Sequence, residues 1–472
     1  MENEKKKSEG ELLQDKLFYT KKSAFEVMKA DELDAAMDYA RGYADFLNGS
    51  KTEREAVKYS VNMLEAKGYK PYKLGDAVER GGKYYLNNRE KSLFAFAVGS
   101  EPIDCGVRIC ASHIDSPRLD LKQNPLYEDS GFGYMKTHYY GGIRKYQWPT
   151  IPLALHGTVA LADGSSVDIR IGEDEGDPVL VISDLLPHLG AEQGKKPLDH
   201  AFDGETLNAI ACSSPYMFDG KPADVSDAVK LNLMRLLNEK YGITEPDFMS
   251  ADLCLVPAGR AVDIGVDRWL MGGYGHDDKV CAYPSLTALL EADGSEHTLM
   301  CVLADKEETG SDGVTGMQCS LLTELIDAVC EQLGGSGKVC RSNSMCLSAD
   351  VSACYDPSFA DVFEKRNSAL CNCGVVMNKY NGARGKSSTS EATAEFIAKL
   401  RRMFDSEGVL WQTAEPGRVD AGGSGTVARF IANHNIDTID LGVPVLSMHA
   451  PFEAISKADL YSAHKAMLAF YR

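Results

Sequence analysis

"CVLADKEETGSDG", residues 301–313, runs from apolar residues straight into two adjacent carboxylates, Glu307 and Glu308, and then into a Thr-Gly-Ser turn. A short apolar run bounded in this way reads as a buried strand that ends where the acids begin. Like charges side by side in a poorly solvated place raise one another's pKa, so an opposite charge is expected nearby, either Lys306 or a bound cation. "GVRICASHID" (106–115) repeats the pattern, apolar until it meets His113 and Asp115. Buried strands that end in polar groups suggest an α/β sheet with a site at the strand ends.

The texture along the 472 residues supports such a sheet with an interruption. Residues 20–68 carry apolar residues at helical spacing and read as two amphipathic helices, followed by strand-like "SLFAFAVG" (92–99). Between 118 and 269 the segments become short and alternating, as in "TVALADGSSVDIRIG", where Asp163-Gly164 is a hairpin signal, with one helix, "VSDAVKLNLMRLLNEKYG". After Gly275 the α/β texture returns, with "HTLMCVLAD" and "CLSADVS" as strands and "LLTELIDAVCEQLGG", "SEATAEFIAKLRRMFDSEG" and a segment after Ser456 as helices. The expected fold is α/β: a discontinuous domain of residues 1–117 and 270–472 interrupted by a β-rich insertion, 118–269.

Composition narrows the partners. A net charge of −19 opposes nonspecific contact with nucleic acid or an anionic membrane surface, both of which call for a basic face. The N-terminal "MENEKKKSEGELLQDKL" lacks the apolar stretch of a secretory signal, and no run of about 18 apolar residues occurs. A cytoplasmic protein is expected. Thirteen cysteines in apolar contexts suit reduced core thiols better than a disulfide framework, and Cys371-x-Cys373 has no second pair at zinc-finger spacing.

Five stretches place acids or histidines directly after apolar runs of the α/β part: His113 and Asp115, Asp277 and Asp278, Glu307 and Glu308, Asp350, and His449. Taken singly each has a bland reading: a hydrogen-bonded histidine, a helix N-cap at Asp277-Asp278, a solvated turn at Glu307-Glu308, an Asx-turn at Asp350. Jointly they suggest a metal site, and mixed imidazole and carboxylate donors suit Zn2+, Mn2+ or Co2+ better than Mg2+ or Ca2+.

The stretches "SHIDSPRLDLK", "GYGHDDKVCAYPSL", "DKEETGSDG", "SADVSACYDP" and "LGVPVLSMHAPFE", in this order, resemble the signature blocks of the aspartyl aminopeptidase family of zinc metallopeptidases, particularly its bacterial branch. The resemblance implies a three-layer α/β/α catalytic domain of the zinc-peptidase (phosphorylase/hydrolase-like) fold and an aminopeptidase that uses two Zn2+ ions, with Co2+ or Mn2+ as substitutes. It makes Asp277 the bridging carboxylate, His113 and Asp350 the further ligands of one ion, and Glu308 and His449 those of the other. Glu307 becomes the general base, and Asp115 orients the His113 imidazole. It also implies peptide substrates with a free N-terminus and a large homo-oligomer, often a tetrahedral dodecamer; a histidine from this region of relatives reaches a neighbour's site, so His156 of the insertion is either that residue or a buried structural histidine.

Further residues are candidates for substrate binding. Lys379, Tyr380 and Arg384 in "NKYNGARGK" would shape a pocket or form a solvated basic loop, and "CNCGVV" (371–376) is uncharged where acid-selective relatives carry a basic residue, which leaves a neutral or broad preference as open as an acidic one. "DAGGSGTVARF" (420–430), with Gly423, lacks the Lys-Ser/Thr of a P-loop and reads as a wall of the site. Alternative functions are a metal-dependent carboxypeptidase or amide deacylase, an inactive scaffold of the same fold, and, last, a nucleotide-binding protein.

Overall fold

The structure, a computed structural model, describes residues 7–292, 294–423 and 425–472. The opening stretch forms strand Thr298–Ala304, buried along its whole length, and it lies parallel to Val107–His113 with Ala304 opposite His113. Met345–Ser348 runs parallel on the other side of Val107–His113. Three apolar strands therefore end at one edge, and the residues that follow them (His113, Asp305 to Glu308, Asp350) gather there.

These strands are the middle of a nine-stranded sheet, ordered Lys70–Pro71, Lys83–Asn88, Ser92–Ala97, Thr298–Ala304, Val107–His113, Met345–Ser348, Asp437–Gly442, Val375–Asn378, Trp411–Thr413. Alternation along each strand feeds two cores. Cys110, Cys301, Leu303 and Leu347 face helices Ala30–Asn48, Glu53–Ala66, His276–Glu291, Ala394–Ser406 and Lys457–Tyr471. Ile109, Ala111, Met300 and Val302 face Leu321–Leu333 and Gly337–Asn343. The result is a three-layer α/β/α arrangement.

A six-stranded sheet spans Arg118 to Pro257, and its apolar core is separate, with Leu119, Trp148, Leu155, Ile169 and Leu253 at its heart. Strands Leu153–Ala160 and Ser166–Ile171 pair across the Asp163-Gly164 turn. Its helix is Ala228–Tyr241.

Two details differ from expectation. The chain returns from the six-stranded sheet before residue 270, because strand Val262–Ile264 pairs with Leu270–Gly273 in a five-stranded sheet shared with Glu453–Ser456 and Pro444–Leu446. The first expected helix is broken into Ala24–Val27 and Ala30–Asn48. The backbone N–H groups of Ser23 and Lys29 each donate to a glutamate three residues on, at 3.1 Å and 3.2 Å, so the helix starts twice. Helix Glu9–Leu17, unforeseen, precedes both and buries no residue.

Candidate metal centre

Asp277 sits at the start of helix His276–Glu291, but its φ/ψ of −78°/107° is not helical, and Gly275 rather than either aspartate occupies the cap position. Asp277 is thereby free to face the strand ends. Its Oδ1 lies 3.2 Å from His113 Nε2 and its Oδ2 lies 3.2 Å from His449 Nε2. One carboxylate thus spans two imidazoles. Asp350 Oδ1 is 3.9 Å from His113 Nε2, and Glu308 Oε2 is 3.6 Å from His449 Nε2. Three groups of donors result, His113 with Asp277 and Asp350, Asp277 with Glu308 and His449, and His113 with Glu307 and Glu308, the atoms of each lying within 4.8 Å of one another. His449 is set by a loop with φ +65°, and its Nδ1 lies 3.0 Å from the Gly142 carbonyl oxygen.

Glu307 is the third carboxylate around His113, with Oε2 at 4.0 Å from Nε2. Both glutamates occupy a 3-10 turn, Glu307–Thr309, entered through Lys306 at φ +69°. Two neighbours in such a turn point different ways, so Glu308 faces His449 while Glu307 faces His113. Lys306 does not neutralise them: its ammonium lies 5.0 Å from the Tyr140 ring centre, and it forms no ion pair with either glutamate among the described residues.

Asp115 ties these pieces together. Its backbone carbonyl is 3.1 Å from His113 Nδ1, its Oδ1 accepts the N–H of Glu307 and its Oδ2 that of Glu308, each at 3.2 Å, and Tyr140 Oη donates to Oδ2 at 2.7 Å. A hydrogen bond at Nδ1 fixes the ring so that Nε2 faces the cluster.

Burial pushes the carboxyl of Glu307 up to about 7, the nearby Asp115 and Asp277 adding to it while His113 and His449 oppose it. Glu308 and Asp350 are also raised, by burial first and then by neighbouring aspartates. Burial opposes protonation of His449, but Asp277 and Glu308 outweigh it and bring the imidazole to about 11. Asp277 Oδ1 and Glu308 Oε1 are buried with no hydrogen-bond donor. Buried acceptors without donors, crowded acids and two converging imidazoles are a donor set that suits divalent transition metal.

Sequence reading missed the supports of this cluster. Glu453 accepts the N–H of Asp277 at 3.1 Å and that of His449 at 2.8 Å, and burial raises its carboxyl to about 8. Ser116 Oγ donates to the Asp277 carbonyl oxygen, and the fully buried Lys279 donates to Ser116 Oγ. Asp278 accepts the N–H of His113. Glu453 and Lys279 lie within the quoted blocks as charges amid apolar neighbours, which was the available signal; Tyr140 gave none.

Of the expected substrate residues, Gly423 lines a cavity of about 460 Å³ that opens on the cluster, together with Gly417 and Gly422. Its φ of +119° and the approach of the Ala383 backbone leave no room for a side chain. Ser424 lies outside the described residues. Lys379 pairs with Glu391, and Tyr380 donates to Glu415. Tyr380 and Arg384 border an adjoining cavity, so Asn378 and Asn381 of that segment, not these residues, face the site. His156 takes up the buried structural position that was the alternative reading: its Nδ1 lies 2.9 Å from Glu55 and its Nε2 3.3 Å from Glu173.

Residues 46–471 match the family described as Aminopeptidase I zinc metalloprotease (M18). The chain belongs to this family. The probable M18 family aminopeptidase 1 of Clostridium acetobutylicum is 45% identical over 457 residues, 95% of this chain and 97% of that protein. The Thermotoga maritima protein of the same description is 41% identical over 94% of this chain and 97% of its own length. The crystal structure of the M18 aminopeptidase from Thermotoga maritima covers 96% of this chain and 100% of its own at a TM-score of 0.91 and 39% identity. That of aminopeptidase I from Clostridium acetobutylicum covers 97% and 100% at 0.90 and 42%. As an M18 protein the chain is a zinc aminopeptidase, a hydrolase with the α/β fold of its relatives. The carboxypeptidase, deacylase, scaffold and nucleotide-binding alternatives fall away.

Proposed function

We propose that the M18 chain holds two zinc ions between His113, Asp350, Glu308 and His449, bridged by Asp277, and removes the N-terminal residue of peptides with Glu307 as general base. The observation that carries the reading is the pair of 3.2 Å distances from the two oxygens of Asp277 to the two imidazoles, with Glu307 beside them. Bound zinc would act as a Lewis acid on the scissile carbonyl and lower the pKa of water; Co2+ or Mn2+ would substitute.

The chain's own groups do the rest. Glu307 Oε2 takes a proton from the attacking water and delivers it to the leaving amine. Asp115 holds the turn that aims Glu307 and the ring of His113. The acids beside the cavity bind the free α-amino group of the substrate, which confines cleavage to the first residue.

The division into a catalytic unit and an inserted unit is supported by the separate apolar core of the six-stranded sheet, with the return to the catalytic unit placed before strand Val262–Ile264 rather than at 269/270. We infer that the inserted unit mediates homo-oligomer assembly. The mApe1 of S. cerevesiae, 21% identical and covering 92% of this chain at a TM-score of 0.74, was solved as a dodecamer, and a dodecamer is our reading here. A cytoplasmic location agrees with thirteen free thiols and with the lack, among the described residues, of any helix long and apolar enough to cross a membrane.

The test combines metal analysis with assays of free and N-acetylated peptides. About two zinc ions per chain and cleavage of free peptides alone are expected. Equal cleavage of acetylated peptides, or turnover retained in Glu307→Gln, would overturn the assignment.

A further inference from the structure

A second cavity, of about 360 Å³, adjoins the one that opens on the metal-ligand cluster, and the two share Pro416, Gly417 and Gly422. Their charges are opposite. The cluster cavity is lined by Asp277, Glu307, Glu308 and Asp350 and, among the described residues, by no lysine or arginine. The second is lined by Arg384, Lys386 and Arg418, with Glu415 its one acid among the described residues. On a chain of net charge −19 such a gathering of cations runs against the overall balance.

Both guanidinium groups are available to a ligand. Arg384 and Arg418 form no ion pair among the described residues, whereas the Lys386 ammonium lies 3.0 Å from Glu391 and over the Tyr380 ring at 3.9 Å. Glu415 accepts a hydrogen bond from Tyr380 Oη. The backbone beneath each arginine is fixed: Arg418 donates its N–H to the Val362 carbonyl oxygen at 3.0 Å, and Arg384 sits in a turn closed by the Ser387 N–H on the Ala383 carbonyl oxygen at 3.1 Å. The shared wall is bare backbone where glycine is required. A Cβ at Gly422 would lie 1.7 Å from the Pro416 carbonyl oxygen, and Gly417 has φ +76°.

Resting on the aminopeptidase reading, we propose that the second cavity binds a carboxylate in the leaving part of the substrate, C-terminal or side-chain, and so suits the site to short peptides. A short peptide carries an ammonium at one end and a carboxylate at the other. With its α-ammonium beside the acids of the cluster, each further residue carries the chain up to about 3.5 Å away from them. The far carboxylate then passes the glycine wall and meets Arg384 and Arg418, whose planar forks match it. Reversed, the carboxylate would face four acids and the ammonium three cations, so charge also sets the direction in which a peptide enters.

The experiment measures kcat/KM of the zinc-loaded full chain on Leu-Gly, Leu-Gly-Gly and Leu-Gly-Gly-Gly, each as the free acid and the C-terminal amide, and on Leu-Gly-Asp-amide beside Leu-Gly-Asn-amide. In at least one pair the carboxylate is expected to win by about three- to tenfold, the range that two partly exposed ion pairs supply. Salt at about 0.5 M should shrink the ratio. A preference confined to the free acids assigns the C-terminus, and one confined to Leu-Gly-Asp-amide assigns a side chain. In the double variant Arg384→Gln, Arg418→Gln, and separately in Arg418→Glu, the ratio is expected to fall to about one or below, with thermal unfolding as the check that each variant is folded. Ratios near one in every wild-type pair, or ratios untouched in both variants, overturn the inference and leave the aminopeptidase reading standing. Absence of cleavage of every free-amine peptide defeats both.

Discussion

Asp115 is bonded through both carboxylate oxygens to consecutive backbone amides, Oδ1 to the N–H of Glu307 and Oδ2 to that of Glu308. The direction in which each glutamate points is therefore set by a residue on a different strand. Asp115→Asn leaves one oxygen where two are needed and turns an N–H donor against another. We expect a fall in kcat of about 10- to 100-fold with a parallel loss of zinc affinity, measured by steady-state kinetics and metal titration.

Glu307→Gln keeps the shape of the turn and removes the proton acceptor. Zinc content should hold, and kcat should fall by about 10²- to 10⁴-fold. Metal analysis of the same preparation used for kinetics separates a chemical defect from a binding defect.

Asp277 faces both imidazoles, whereas Asp350 faces only His113. Asp277→Ala should empty both positions and Asp350→Ala mainly one, which zinc counts on the purified variants would read directly. Chelation should abolish activity and lower the unfolding temperature, because ligands that bind only the folded chain stabilise it.

Glu53 and Arg118 form a buried pair at 2.6 Å that fastens helix Glu53–Ala66 to the first strand of the six-stranded sheet. Removing Arg118, as in Arg118→Met, leaves the buried Glu53 with Lys91 alone, at 3.4 Å, and a loss of up to about 3 kcal/mol in urea unfolding is expected. Burial alone would raise the Glu53 carboxyl, but Arg118 and Lys91 outweigh it and hold it below its ordinary value of 4.5. Its contribution is thus fully present above pH 4.5 and lost as pH falls toward the folded value. Wild type should therefore lose more stability on acidification than Glu53→Gln.

His156 gives the opposite sign. Burial opposes its protonation, but Glu173 and Glu55 hold the imidazole above its ordinary 6.5. Its pairing stabilises the fold below pH 6.5 and weakens as pH rises through the folded value. Thermal unfolding from pH 6 to 9 should fall faster in wild type than in His156→Gln.

Much of the site was legible because three of its donors follow buried strands, and apolar runs that stop at His113, Glu307 and Asp350 are visible without any structure. Asp277 was less so. It looked equally like a helix cap, and only its non-helical backbone turns it toward the cluster. The supports escaped because Tyr140 and Glu453 act through contacts with residues distant in sequence, which no local pattern records. The partners of His156 were illegible for a related reason: a histidine in a strand does not announce the two acids, Glu55 and Glu173, that come from elsewhere to enclose it.

The donors of the cluster are spread from His113 to His449, and the last of them is supplied by a loop between strands Pro444–Leu446 and Glu453–Ser456. A polypeptide emerging from the ribosome cannot bring Asp277 between two imidazoles until residue 449 has been translated. On the proposed assignment of the ligands, hydrolytic capacity is thereby withheld from any nascent chain that has not yet folded the loop carrying His449.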